Sequence, residues 1–510
     1  MNVPTRAKAL GGLSLLVATG LLAGCPSTTD GVPQAPDAAC LGDCDATSPD
    51  APAPTPTGTD ASCAPSCPPP LDESALGTWV LGSPTASGVT LSLLPKTAVE
   101  VYLEAGTSPG QTSVKSEITR GPGGTPLVTT LTGLPEDATV YYRVRLRPPG
   151  ATDFSTSKER TFHTARKAGA TFTFTVQADS HRDENSNLDI YRRALDNVRA
   201  DAPDFHVDLG DTFMTEKFAK TEAEVVDRYV EERSYFGRTT DTVPLFLVNG
   251  NHEGEVGWVF DGVTDNLAVW ATKARLRYFV APTLGGLYTG DDTTNPLVGR
   301  RVGYYAFTWG DALFVALDPF WYTETKPRKG GEGWGFTLGE AQYRWLQRTL
   351  EASTAKYKIV FAHHLVGGLD DARGGVEGAD LWEWGGQGAT GADEFATRRP
   401  GWAKPIHRLL VDTKASAFFH GHDHLYCKQD KDGIVYQEVP QPSHPGGNAA
   451  VTAAAGGYVS GTILPSSGHM RVKVAPDKMT VEYVRAVLPT AETPTLKNGS
   501  VADSYTIVPR

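Results

Sequence analysis

The chain has 510 residues, of which 40% are hydrophobic and 21% charged, and its formal net charge is −12. At roughly 150 residues per domain that length holds two or three domains, and the composition is that of a soluble globular protein with a sizeable core. The acidic balance argues against nucleic acid or an anionic membrane surface as a general partner, so any affinity for phosphate has to come from a local site such as bound metal.

Residues 1–24 read as a lipoprotein signal peptide. Arg6 and Lys8 precede an apolar stretch over 10–22 that is short for a bilayer span and ends in small residues. Leu22-Ala23-Gly24-Cys25 resembles a bacterial lipobox, which implies export, lipid attachment at Cys25 and membrane contact through that lipid only. Pro26 rather than Asp follows the cysteine, which on the lipoprotein sorting pattern points to the outer membrane or cell surface. Residues 25–72 are rich in Pro, Ala, Thr, Asp and Ser. Such a segment buries too little apolar surface to offset its conformational entropy, so a disordered tether is expected. Its Cys40, Cys44, Cys63 and Cys67 are expected to form two disulfides of open connectivity, with a zinc knuckle as the alternative. Cys427, alone downstream, is expected as a buried thiol.

Residues 75–166 change to short alternating strands between Gly/Pro turns, clearest over 99–103 and 140–146, which predicts a small all-β sandwich. Leu131-Thr132-Gly133-Leu134-Pro135 followed by Thr139-Val140-Tyr141-Tyr142-Arg143-Val144 resembles a fibronectin type III domain, with the tyrosine after the turn pinning a corner. A spacer or docking role is expected there, with carbohydrate binding as the alternative.

Residues 170–510 alternate strand and helix. Leu188, Tyr191, Leu195 and Val198 share one helical face, as do Trp345, Leu346 and Leu350. Thr337 with Glu340 predicts a capping box. Segments 470–474 and 480–484 flank Pro476-Asp477-Lys478, a hairpin signal. The expected class is α/β, a sandwich with two central sheets. Five apolar strands run directly into metal-ligand residue types: 171–178 into Asp179-Ser180-His181, 205–209 into Gly210-Asp211, 243–248 into Asn249-Gly250-Asn251-His252-Glu253, 358–361 into Ala362-His363-His364, and 415–419 toward Gly421-His422-Asp423-His424. Hydrolysis of a phosphate ester needs a hydroxide at neutral pH and neutralisation of phosphoryl charge. Two ions about 3.5–4 Å apart supply both. Mixed carboxylate, amide and imidazole donors suit Fe, Mn, Zn or Co rather than Ca or a thiolate site.

In order and spacing these motifs resemble the calcineurin-like metallophosphoesterase superfamily. A fibronectin-like domain in front is similar to its purple acid phosphatase and alkaline phosphatase D-like branches. The resemblance implies a phosphoesterase acting on small mono- or diesters, with two metal ions. Asp179, His181, Asp211 and His424 would hold the first, Asp211 would bridge, and Asn251, His363 and His422 would complete the second. His252 would face the substrate and stabilise phosphoryl charge or protonate the leaving oxygen. Glu253 and Asp423 would orient imidazoles. Met214 stands where the purple enzymes carry a tyrosine ligand, so their substrates do not transfer by analogy.

Other residues stay open at this level. His364 and His444 are candidates for the phosphate pocket, Arg182 for pairing with phosphate or for the surface, and His420 for a structural place. The glycine-rich stretch 367–391, with Trp382 and Trp384, reads as a loop over the cleft faced by Trp321, Tyr322 and Trp334, or as core packing. The readings competing with a phosphoesterase are a non-catalytic surface adhesion or display protein and a hydrolase of nucleotides or phosphoanhydrides on the same site.

Overall fold

In the sandwich, the Leu127–Thr132 strand alternates strictly between buried and exposed side chains, so one face needs a partner layer. The computed structural model describes residues 71 and 73–510; the stretches expected to be a signal peptide and a tether, with the tether's four cysteines, lie outside the described residues save for residue 71. The strands Thr78–Gly82, Gly88–Leu94 and Leu127–Thr132 form one antiparallel sheet, and Val99–Gly106 and Thr139–Arg147 centre the other. Leu91, Leu131, Val101 and Val144 fill the space between them.

The Thr78–Gly82 strand is buried on both faces, because Val80 packs outward into the helices Glu222–Phe236 and Leu267–Tyr278. The sandwich therefore packs directly against the α/β part of the chain, within one compact unit. Leu81 N donates to Thr240 O at 2.9 Å and Thr240 Oγ1 to Trp79 O at 2.9 Å. Tyr142 does not pin a corner of its own sheet. Its hydroxyl donates to Asp241 O at 2.6 Å and ties the sandwich to the larger domain.

That larger domain holds two facing sheets. In the six-stranded sheet Phe172–Gln177, Phe205–Asp208 and Leu245–Leu247 run parallel, and Gly468–Val474, Met479–Arg485 and Val501–Ile507 extend it antiparallel through the expected hairpin. In the eight-stranded sheet Ala312–Ala316, Tyr357–Phe361, Ala417–His420 and Ile434–Glu438 form the parallel centre. These strands are buried at every position because both their faces are covered. Phe174, Val176 and Phe205 meet Phe314, Phe361 and Phe419 in one core, and the helices Gly339–Ala352 and Ile406–Asp412 cover the outer face of the larger sheet.

Two further local expectations fail. Leu188 is 36% exposed, because the buried arc of helix Leu188–Ala200 is centred on Tyr191, Ala194 and Val198 and Leu188 sits at its edge in the first turn. The capping box at Thr337 does not form. Gly339 takes φ 72°, so the helix begins only there, and Thr337 Oγ1 accepts from Gly339 N at 3.0 Å. Thr221 and Glu224 form a capping box instead. Cys427 is buried as expected. Among the described residues no helix is long and apolar enough to cross a membrane.

Candidate metal centre

The five ligand-bearing strands end along one edge of the paired sheets, and there the chain turns sharply. Asp179, His181, Asp211, His422 and His424 all have positive φ, between 54° and 81°. The left-handed region costs an L-residue roughly 1–2 kcal/mol, so surrounding structure has to hold these turns. Two of the three glycines in the motifs show how closely these turns approach one another. A Cβ on Gly210 would run into the Gly250 backbone, and one on Gly421 would lie 2.5 Å from Asp179 Oδ2. The turns also bond one another: Asp179 N donates to Gly210 O at 2.9 Å, His181 N to Asp211 O at 3.0 Å and Gly421 N to His363 O at 2.9 Å.

The result is two clusters, Asp179 with His181 and His424, and Asp211 with His363 and His422, each with ligand atoms within 4.8 Å of one another. In the first, Asp179 Oδ1 lies 3.8 Å from His181 Nε2 and 3.6 Å from His424 Nε2. In the second, His363 Nε2 lies 3.2 Å from Asp211 Oδ2 and 3.3 Å from His422 Nδ1. They adjoin, since Asp211 Oδ2 is also 3.8 Å from His181 Nε2. Asp179 Oδ1, His181 Nε2 and Asn251 Oδ1 are buried with no hydrogen-bond partner. Each such atom costs on the order of 1–3 kcal/mol unless something completes it. A pair of cations fits this donor set.

The outer nitrogens fix the inner ones. A carbonyl only accepts, so His363 Nδ1–H donates to Leu209 O at 3.0 Å and leaves Nε2 as the ligand atom. His422 Nε2–H donates to Asp371 O at 3.0 Å and leaves Nδ1. Burial opposes a charge on His181, but Asp179, Asp183 and Asp211 outweigh it and raise its pKa to about 10. His363 is raised in the same way to about 9, against burial, by Asp211 and Asp179. Burial lowers His424 to about 4. Cations held at this site would displace the extra protons of His181 and His363, whereas His424 is already neutral near pH 7.

Glu253 and Asp423 hold the site differently from the expectation, since neither touches an imidazole. Glu253 accepts from the backbone N–H of Asp211 at 2.9 Å, Thr212 at 2.7 Å and Phe213 at 3.2 Å, and so clamps the turn that carries Asp211. Asp423 accepts from Arg373 Nη1 at 2.8 Å, Gly374 N at 2.7 Å and Tyr458 OH at 2.9 Å, which pins the glycine-rich loop. His252 lies outside both clusters. Its Nδ1 is 2.9 Å from Glu216 Oε2, and Lys326 Nζ donates to Glu216 Oε1 at 3.2 Å. Burial opposes charge on His252, but Asp211 and Glu216 raise its pKa above the ordinary value.

Arg182 neither reaches the site nor lies at the surface. It is 7% exposed and pairs with Glu232 and, at 2.6 Å, with Glu231. His364 is buried against Phe320 and Phe336, with Nδ1–H on Leu365 O at 2.6 Å. His420 is structural, its Nδ1 2.6 Å from Glu438 Oε2. His444 borders a cavity beside His424. Trp334 packs edge-on against Trp382, Trp384 is fully buried, and Trp321 covers the Arg301 guanidinium at 3.9 Å, so these aromatics build walls and core. Met214 is buried and offers no oxygen ligand. Sequence reasoning missed Glu216 and Asp371. Glu216 looks like any acid in the first turn of a short helix, and Asp371 acts through its carbonyl.

Two adjoining oxygen–nitrogen clusters at the carboxyl edge of an α/β double sheet define a metal-dependent phosphoester hydrolase. Residues 172–426, half of the chain, match the calcineurin-like phosphoesterase family, and the chain belongs to that family. A PhoD structure aligns with a TM-score of 0.59 at 16% identity, over 85% of this chain and 90% of that one. Purple acid phosphatase PPD1 from yellow lupin (Lupinus luteus) seeds aligns at 0.55 and 15% identity, over 84% and 73%. At such identity the likeness is one of fold. No curated protein sequence matches the chain.

Proposed function

We propose that this protein is a dinuclear metal phosphoesterase hydrolysing phosphate mono- or diesters of small molecules. Asp179, His181, Asp211 and His424 would hold one ion, and Asp211, Asn251, His363 and His422 the other. Two such ions supply charge neutralisation and lower the pKa of water. The chain's part is to place the ligands rigidly and to present His252 as a proton donor, with Glu216 holding its Nδ1–H and leaving Nε2 free for the leaving oxygen. The observation that carries this reading is the set of unpartnered buried ligand atoms beside the His252–Glu216 pair.

The test is a panel of phosphomonoesters, diesters and nucleotides assayed with Mn, Fe, Zn and Co. Turnover of simple esters by protein holding two ions per chain is expected. A two-metal protein inert on every ester would favour a display role. We also propose lipid anchoring at Cys25, which rests on the sequence motif alone. Cys25→Ser is expected to release the protein from membranes or to leave an uncut precursor, and a variant that fractionates and migrates like wild type would contradict it.

A further inference from the structure

A cavity of about 110 Å³ opens beside His424 and is bordered by His444, Gly447, Ala449, Thr452 and Pro465. Its walls are fastened to the metal-ligand turns. Ser443, next to His444, donates through Oγ to Ser180 O at 2.7 Å, between Asp179 and His181, and Asn187 N donates to Ser443 O at 2.7 Å. On the opposite wall Ser466 Oγ donates to His424 O at 2.9 Å. Pro465 O accepts from Tyr483 OH and from Arg485 Nη1, both at 2.7 Å. The His444 ring leans on Gly447, where an added Cβ would come within 3.4 Å of Cε1. This space is thus built as an extension of the first cluster.

Its chemistry is equally defined. The lining contains no Lys, Arg, Asp or Glu; it offers imidazole, the Thr452 hydroxyl and the apolar surfaces of Leu425, Ala449 and Pro465. Three cations near the clusters are already paired, Lys217 with Asp183 at 3.0 Å, Lys326 with Glu216 at 3.2 Å and Arg373 with Asp423 at 2.8 Å, and Arg228 is spent on the His181 and Phe213 carbonyls. A second phosphate or a carboxylate would find no free counter-ion in this cavity. At about 110 Å³ the cavity is well below the roughly 300–1,000 Å³ of clefts that take drug-sized ligands, so it suits a short substituent.

We propose that this cavity is a substrate subsite for a short, uncharged, alcohol-derived substituent on the phosphoryl group. The assignment rests on the phosphoesterase reading, and it names the substrate class as esters of small polar alcohols rather than nucleotides or polyphosphates. Thr452 and His444 are its specificity-determining residues.

The test measures binding by calorimetry to the metal-loaded protein, using 2-hydroxyethylphosphonate, which carries such a substituent on a bond the enzyme cannot hydrolyse, against inorganic phosphate. Wild type is expected to bind the phosphonate at least as tightly as phosphate. Thr452→Phe, which fills the cavity, is expected to weaken the phosphonate 10-fold or more and phosphate less than 2-fold, with two ions per chain retained. Ala449→Leu is a second filling variant should the first misfold, and it should show the same selective loss. Equal weakening of both ligands, or no change in either, overturns the cavity assignment alone. Failure of the wild type to bind either ligand overturns the phosphoesterase reading and this one with it.

Discussion

Beneath the sandwich, the Arg233 guanidinium is fully buried and every nitrogen finds oxygen. Nε donates to Thr78 Oγ1 at 3.1 Å, Nη1 to Ser92 Oγ at 3.1 Å and to Tyr278 O, and Nη2 to Ser92 O at 2.8 Å and Thr78 O at 3.0 Å. At the metal edge the reverse holds. Asp179 Oδ1, His181 Nε2 and Asn251 Oδ1 are buried and lack partners, and Asp179 and His181 themselves have left-handed backbone. Satisfied buried polarity fastens the two domains together, whereas unsatisfied polarity over strained turns marks the place where something else must bind. The difference predicts that substitutions at the two regions separate stability from chemistry.

The largest effect is expected at Asp211, which reaches toward both clusters. Asp211→Ala should lose bound metal and bring activity to background while the protein stays folded, read by elemental analysis, turnover and thermal unfolding. A folded variant retaining two ions would break the contrast. Next, His252→Ala should keep both ions and lose on the order of 10²- to 10⁴-fold in turnover, the usual range for one acid–base group. Alkyl esters should suffer more than nitrophenyl esters, whose leaving group needs no proton. An emptied metal site would move His252 into the ligand set.

Arg233→Ala leaves the carbonyls of Thr78, Ser92 and Tyr278 without their donor. It should cost about 2–4 kcal/mol in denaturant unfolding, with metal content per folded chain unchanged. Unaltered stability would show that the seam is dispensable. The smallest effect concerns pH. A hydrogen bond from Arg160, which also pairs with Asp241, holds the Glu73 carboxyl below its ordinary range. A depressed carboxylate contributes stability above its unfolded pKa and loses it as pH falls through the folded one. Wild type should therefore lose stability more steeply below about pH 4.5 than Glu73→Gln does, and parallel curves would remove Glu73 from the seam.

What could be read from the residues follows the same division. Ligand types directly after apolar strands announced the metal edge, because a strand end is a local feature and the five ends share one side of the sheets. The α/β layering followed from the alternation of strand and helix patterns, and central strands such as Tyr357–Phe361 are buried at every position. The partners of those ligands were not legible. Glu253 was expected on an imidazole but binds three successive backbone amides, a choice set by how closely the Gly210 and Gly250 turns approach. Arg182 follows a ligand in sequence, yet helix Glu222–Phe236 supplies Glu231 and Glu232 to capture it. Thr337 and Glu340 have the spacing of a capping box and lose it to the turn at Gly339. For Glu253 and Arg182 a long-range packing decision overrode the local signal, and for Thr337 a glycine two residues on did.

The central claim is that the two clusters hold two ions sharing Asp211. A crystal structure of the manganese-loaded protein, with anomalous scattering to locate the metal, tests it most directly. The account predicts two peaks about 3.5–4 Å apart, one among Asp179, His181 and His424, the other among Asn251, His363 and His422, with Asp211 touching both. A single peak, or two peaks that leave Asn251 or His422 unbound, would contradict it.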